Sequence, residues 1–212
     1  KKIIIAAMLF PSMSYAEPVA GSRVDLAPKS AKGNYEPGTD DARILAHTVS
    51  RCVADTRRVR AAEIVKLPFR SKEQATAASR LIGGEEKCMG SVSVELTFTT
   101  DMLVMGMAEE LFLASYKRAD INAVIESGKG FVARDNLEDI GLCVARANPA
   151  AAKALLETPP GTARENAAFR AVVPLLGPCV PAGATLVFKK TVIRGSIAIA
   201  LYNSAEYGRI DP

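Results

Sequence analysis

The feature that most limits what this chain can fold into is a repeat built on its four cysteines. A shift of 91 residues carries Cys52 onto Cys143 and Cys88 onto Cys179. The same shift carries Val53 onto Val144, Ala54 onto Ala145 and Pro68 onto Pro159. It also carries Ser71 onto Thr162 and Gln74 onto Glu165. Ser71-x-x-Gln74 and Thr162-x-x-Glu165 are both capping boxes: the hydroxyl caps one orphan amide at a helix start, and the residue three further on reaches back to another. Past the second cysteine the shift drops to 90, as one deleted loop residue would make it. Leu96 then meets Leu186, Phe98 meets Phe188, Leu111 meets Leu201 and Phe112 meets Tyr202. Chance likeness between two alanine-rich stretches does not align cysteines, prolines and caps under one shift. Internal duplication is therefore expected, and two copies make a paired domain rather than a solenoid.

The rest of the chain divides around this repeat. Residues 1–16 read as a signal peptide: Lys1 and Lys2 are basic, Ile3 to Phe10 are apolar, and Ser14-Tyr15-Ala16 offers small residues for cleavage after Ala16. The apolar run is too short to span a bilayer, so no transmembrane segment is expected once it is removed. Residues 17–38, rich in Pro, Gly, Ser and Lys, read as a flexible leader. The first repeat covers 39–117, a linker 118–135, and the second repeat 136–212. The expected location is the bacterial periplasm or the exterior. In such a chain four cysteines imply two disulfides. Three connectivities are open, and the pseudo-symmetry does not choose among them. The simplest staples each copy once, Cys52–Cys88 and Cys143–Cys179. No CxxC pair exists, so no structural metal is expected.

Within each copy the pattern is helical. Thr39, Asp40 and Asp41 open a helix that carries Cys52 inward; Asn136 is expected to cap its counterpart, which carries Cys143. Arg57 to Lys66 and Pro149 to Glu157 are short helices ended by Pro68 and Pro159. The capping boxes start a third helix. Its expected apolar face is Ala75, Ala78, Leu81 and Ile82 in the first copy and Asn166, Phe169, Val172 and Val173 in the second. Gly83-Gly84 and Gly177-Pro178 should stop it. Val92, Val94, Leu96 and Phe98 then alternate with polar residues, which is a strand signal, and Ala184, Leu186 and Phe188 repeat the same spacing in the second copy. Since a lone strand is unstable, these two are expected to pair as a short ribbon linking the copies. Each copy ends in its most apolar helix, about Asp101 to Tyr116 and Thr191 to Ala205, which should form the core. A chain without tryptophan and with 6% aromatic residues must build that core from aliphatic side chains. The fold class expected is all-α, two tandem four-helix repeats.

No catalytic set stands out. Met102-x-x-Met105-x-Met107 offers thioethers that soft Cu(I) accepts, but Val192, Gly195 and Ile197 replace them in the second copy, so core filling is the expectation and no cofactor or metal is assigned. His47 is the sole histidine; Ser50 stands one helical turn away, but two side chains on one regular helix rarely make a catalytic pair, and no partner for zinc ligation is in reach. Glu109 and Glu110 interrupt an apolar helix; Arg194, one turn into the other core helix, is the natural partner, and these three form the candidate polar site. The run Arg57, Arg58, Arg60 reads as a solvated face, and Ser127-Gly128-Lys129-Gly130 as a turn. The net charge of +4 points to no nucleic-acid partner. The leading expectation is an exported, non-catalytic binding module of the envelope whose partner is a protein, peptide or polymer. One alternative is a hydrolase of envelope polymer using Glu109 or Glu110 as acid. A second is a structural envelope protein resting on anionic polymer.

Overall fold

The computed structural model describes residues 23–26, 39–89, 96–181 and 189–210. Local sequence sets the helix boundaries. Helix α1 (Asp40–Thr56) starts where the Thr39 hydroxyl accepts from Ala42 N. Helix α2 (Arg58–Val65) follows directly. Helix α3 (Lys72–Gly83) starts where Ser71 accepts from Gln74 N, and a single turn, α4 (Glu86–Met89), comes next. Helices α5 (Thr100–Tyr116) and α6 (Ile121–Ser127) lead to α7 (Asn136–Ala147). Helix α8 (Pro149–Leu156) is capped by Asn148 with proline at its first position. Helix α9 (Ala163–Cys179) is capped by Thr162, and α10 (Lys190–Ile210) closes the chain.

Among the described residues the protein is helical apart from one two-stranded ribbon and carries two disulfides, Cys52–Cys88 between α1 and α4 and Cys143–Cys179 between α7 and the end of α9. Helix α5 packs on α1, α2 and α3; α10 packs on α7, α6 and α8; α5 and α10 pack on each other. Leu103, Met107, Phe112, Ile197, Ile199 and Leu201 are fully buried in these two helices. Small residues allow the closest crossings. A Cβ on Gly106 of α5 would overlap Ser50 of α1, and a Cβ on Gly141 of α7 would overlap the backbone at Ser196 of α10. Met105 of α5 lies on Gly195 of α10. None of the described helices is long and apolar enough to cross a membrane. Two disulfides and no such helix are compatible with an extracellular or periplasmic protein.

Four local expectations need correction. The cap of α7 is Asp135, whose Oδ1 accepts from Leu137 N and Glu138 N; Asn136 is already helical. Helix α9 passes through Pro174 and Pro178 rather than stopping at Gly177, because both prolines lie on its exposed face, where water can take the freed carbonyls. Its buried face is Glu165, Phe169, Val172, Leu176 and Cys179, with Asn166 and Val173 exposed. The last correction is the ribbon. Strand β2 (Leu96–Thr99) pairs antiparallel with β1 (Arg23–Leu26), Val24 opposite Phe98. The partner thus comes from the segment read as a flexible leader, whose Val24 and Leu26 alternate with Arg23 and Asp25 and can match the register of β2. Val92, Val94 and the second expected strand, Ala184 to Phe188, lie outside the described residues, as does the 1–16 segment.

Candidate functional site

A buried cluster of charges joins the first half of the chain to the second. It begins with the capping box of α9. Glu165 sits at its third helical position and reaches back with Oε2 to accept from Gly161 N at 2.9 Å. Gly161 has φ +75°, a left-handed conformation that glycine adopts at no steric cost. The other oxygen, Oε1, accepts from Arg43 Nη2 of α1 at 2.7 Å and from Arg194 Nη1 of α10 at 3.2 Å. Arg194 is 4% exposed and saturated with acceptors. Its Nε and Nη2 grip both oxygens of Glu109 at 2.6 Å, and Nη2 also donates to the carbonyls of Leu156 and Thr158. His47 Nε2 lies 2.6 Å from Glu109 Oε1. Arg43 Nη1 pairs with Asp40 at 2.6 Å.

Charge balance explains how such a group is tolerated. The buried members Arg43, Arg194, Glu109 and Glu165 sum to zero, and each carboxylate has a guanidinium within hydrogen-bonding distance, the condition under which buried ions survive desolvation. Burial pushes the Glu109 carboxyl up, but hydrogen bonds from Arg194 and His47 and their charge overcome this, and its pKa falls below the ordinary 4.5. Burial lowers the Arg194 pKa and Glu109 and Glu165 raise it; the net shift is upward. Glu109 is therefore ionised and can only accept. The proton between it and His47 resides on Nε2.

Two hollows open over the cluster. One of about 40 Å³ is bounded by Arg43, His47, Met102, Met105, Glu109 and Arg194. The second, about 420 Å³, is a cleft between α1 and α5 on one side and residues 156–160 on the other. Its walls include Ile44, Leu113 and Pro160, and its polar groups include His47, Arg51, Glu110 and Lys117. Glu110, at its edge, pairs with Arg51 at 2.8 Å.

Of the residues singled out in sequence, Glu109 and Arg194 meet directly, while Glu110 faces another way and finds Arg51. Ser50 donates to Ala46 O within its own helix and makes no dyad with His47. Arg57 pairs with Glu85, Arg60 with Glu63, and Arg58 donates to Ser115; Arg57 and Arg60 rim a groove of about 530 Å³ between α2 and α3. Gly128 ends α6 and Lys129 pairs with Glu126. Met107 is fully buried core. Among the described residues no three of His, Cys, Asp and Glu gather as a metal-binding group. Sequence reasoning missed Arg43, His47 and Glu165 as members. The available signal was polar residues on inward positions of amphipathic helices: Arg43 stands three before Ala46 on the α1 face that carries Val49 and Val53.

A second polar cluster lies near the other end of α10. Glu138 of α7, 1% exposed, accepts from Arg134 and from Asn203 Nδ2 of α10 at 2.8 Å. Arg134 also donates to Lys66 O, the end of α2, so this cluster too ties the second half to the first.

The fold and site define a disulfide-stapled helical protein whose halves are clamped by buried ion pairs beneath a cleft. Comparison with protein-family models, curated proteins and solved structures finds no match to the chain.

Proposed function

We propose that this is an exported, non-catalytic binding module, made of two duplicated helical units, whose ligand enters the cleft between α1, α5 and the 156–160 segment. The cleft over the charge cluster carries the reading. It is of the size of a ligand site and mixes apolar walls with a few fixed polar groups. The glutamates that interrupt α5 are each held by an arginine. An acid catalyst needs a carboxyl kept protonated near working pH, whereas Glu109 is shifted the opposite way. That weighs against the hydrolase alternative. The duplication is supported by the order of capped helices in each half and by disulfides that both span 36 residues.

The test is site-specific photocrosslinking in the native host. A photoreactive residue replaces Thr48, exposed at the cleft, or Thr76, exposed on α3. A reproducible adduct from position 48 and none from 76 is expected. Equal labelling from both positions, or adducts only with cell-wall polymer whose yield falls when salt is raised before irradiation, would overturn the reading in favour of a structural protein resting on anionic polymer.

A further inference from the structure

We propose that Met102, Met105 and His47 form a site for Cu(I) in the small hollow above the Glu109–Arg194 pair. In sequence the methionines lack a third ligand. The fold supplies it: α1 brings His47 to the wall that already holds Met102 and Met105, while Met107, two residues on, turns into the core.

Four observations support a soft monovalent ion. First, the donor set is right in kind. All four cysteines are held in disulfides, so no thiolate is available, and thioethers with imidazole are the remaining soft ligands. Second, His47 is oriented as a metal-binding histidine is. Its Nε2 is held by the Glu109 carboxylate at 2.6 Å, the outer-shell bond that orients ligating histidines, so Nδ1 is the nitrogen that would take the ion, releasing any proton as it binds. Third, the surroundings admit one added positive charge. Arg43 and Arg194 line the hollow, but both are held in ion pairs by Glu109 and Glu165, which offset their charge beside an added monocation. Fourth, the neighbours are small. Ala46, Gly106 and Gly195 leave about 40 Å³ of space, enough for a single ion and too little for an organic ligand of ordinary size. The second half lacks the set: Val192 and Gly195 stand where Met102 and Met105 do. The site belongs to one half only.

The experiment titrates the purified, disulfide-bonded full chain with Cu(I), held reduced by ascorbate without oxygen, against a chromogenic Cu(I) chelator. One Cu(I) per chain is expected, with sulfur and nitrogen scatterers in X-ray absorption. Loss of an outer-shell partner alone weakens metal sites by about 10–100-fold, so Met102→Leu with Met105→Leu should weaken binding by more than about a hundredfold. Leucine conserves volume well enough to keep the fold, which circular dichroism will verify. Met107→Leu should leave affinity unchanged. Absence of stoichiometric binding would overturn the proposal, as would equal affinity in the wild type and the double variant, or equal losses in the double variant and Met107→Leu. Binding at the cleft is read separately, by the crosslink from position 48, and either result can stand without the other.

Discussion

Gln74 and Glu165 occupy the same position in their capping boxes, and their difference accounts for the character of the site. Each reaches back from the third helical residue to a backbone amide in the left-handed turn before it, Arg70 N for Gln74 and Gly161 N for Glu165. Arg70 and Gly161 have φ of 63° and 75°. Gln74 then uses its amide hydrogens to satisfy the carbonyls of Ile64 and Leu67, both at 3.1 Å. That cap is self-contained. Glu165 has no hydrogen to give. The carbonyls of Leu156 and Thr158 in its loop are taken instead by Arg194, at 3.0 and 2.8 Å. A buried arginine demands carboxylates, and Glu109 and Glu165 supply them. The two carboxylates then demand more donors, which α1 brings: Arg43 to Glu165 and His47 to Glu109. The exchange of an amide for a carboxylate thus turns a local cap into a clamp between the halves.

The largest effect is expected at the clamp. Arg194→Met should cost about 3–5 kcal/mol in urea unfolding, since it removes the guanidinium that two buried carboxylates share and leaves Glu109 with His47 alone. Gln74→Ala, which strands only neutral backbone groups (the Arg70 amide and the carbonyls of Ile64 and Leu67), should cost about 1–3 kcal/mol. pH separates the two variants further. Glu109 is depressed below 4.5 in the folded protein, so its contribution is complete above that pH and is lost as pH falls through the folded value. In Arg194→Met the deficit should narrow in that acid range, because protonation relieves the stranded carboxyl; in Gln74→Ala it should not.

Removing either disulfide as a serine pair should cost about 3 kcal/mol, and the two losses should match, because both bonds close loops of the same length. Gly161→Ala should cost about 1–2 kcal/mol through the left-handed backbone, read from the shift in thermal midpoint. The smallest effects belong to the caps themselves: Ser71→Ala and Thr162→Ala should each cost about 1 kcal/mol.

Much of this was legible in the residues. Ser71, Thr162 and Asn148 announce their helix starts because capping is a contact over two or three residues. The cysteine spacing announces two equal loops, though not which cysteines join. Glu109 and Arg194 draw attention because each interrupts an apolar helix, and a charge in the core needs an opposite charge. The remainder depends on long-range geometry. Arg43 meets Glu165 across 122 residues, and nothing local in α1 says which helix its polar position will face. His47 looks partnerless until α5 lies against α1. The pairing of β1 with β2 was hidden because Val24 and Leu26, alternating with Arg23 and Asp25, give too short a signal to stand out beside Pro and Gly.

The most direct test of the clamp is a double-mutant cycle on Glu109 and Arg194. Glu109→Ile and Arg194→Val place at each position the residue found at the equivalent position of the other half, Ile199 and Val104. Each single variant leaves a buried charge without its partner, whereas the double variant removes both charges of the pair. The account predicts a coupling of about 2–3 kcal/mol, with the double variant more stable than the sum of the single losses requires. Additive losses, within about 0.5 kcal/mol, would contradict it, because they would mean that Arg194 and Glu109 contribute independently and that their ion pair does not clamp the halves.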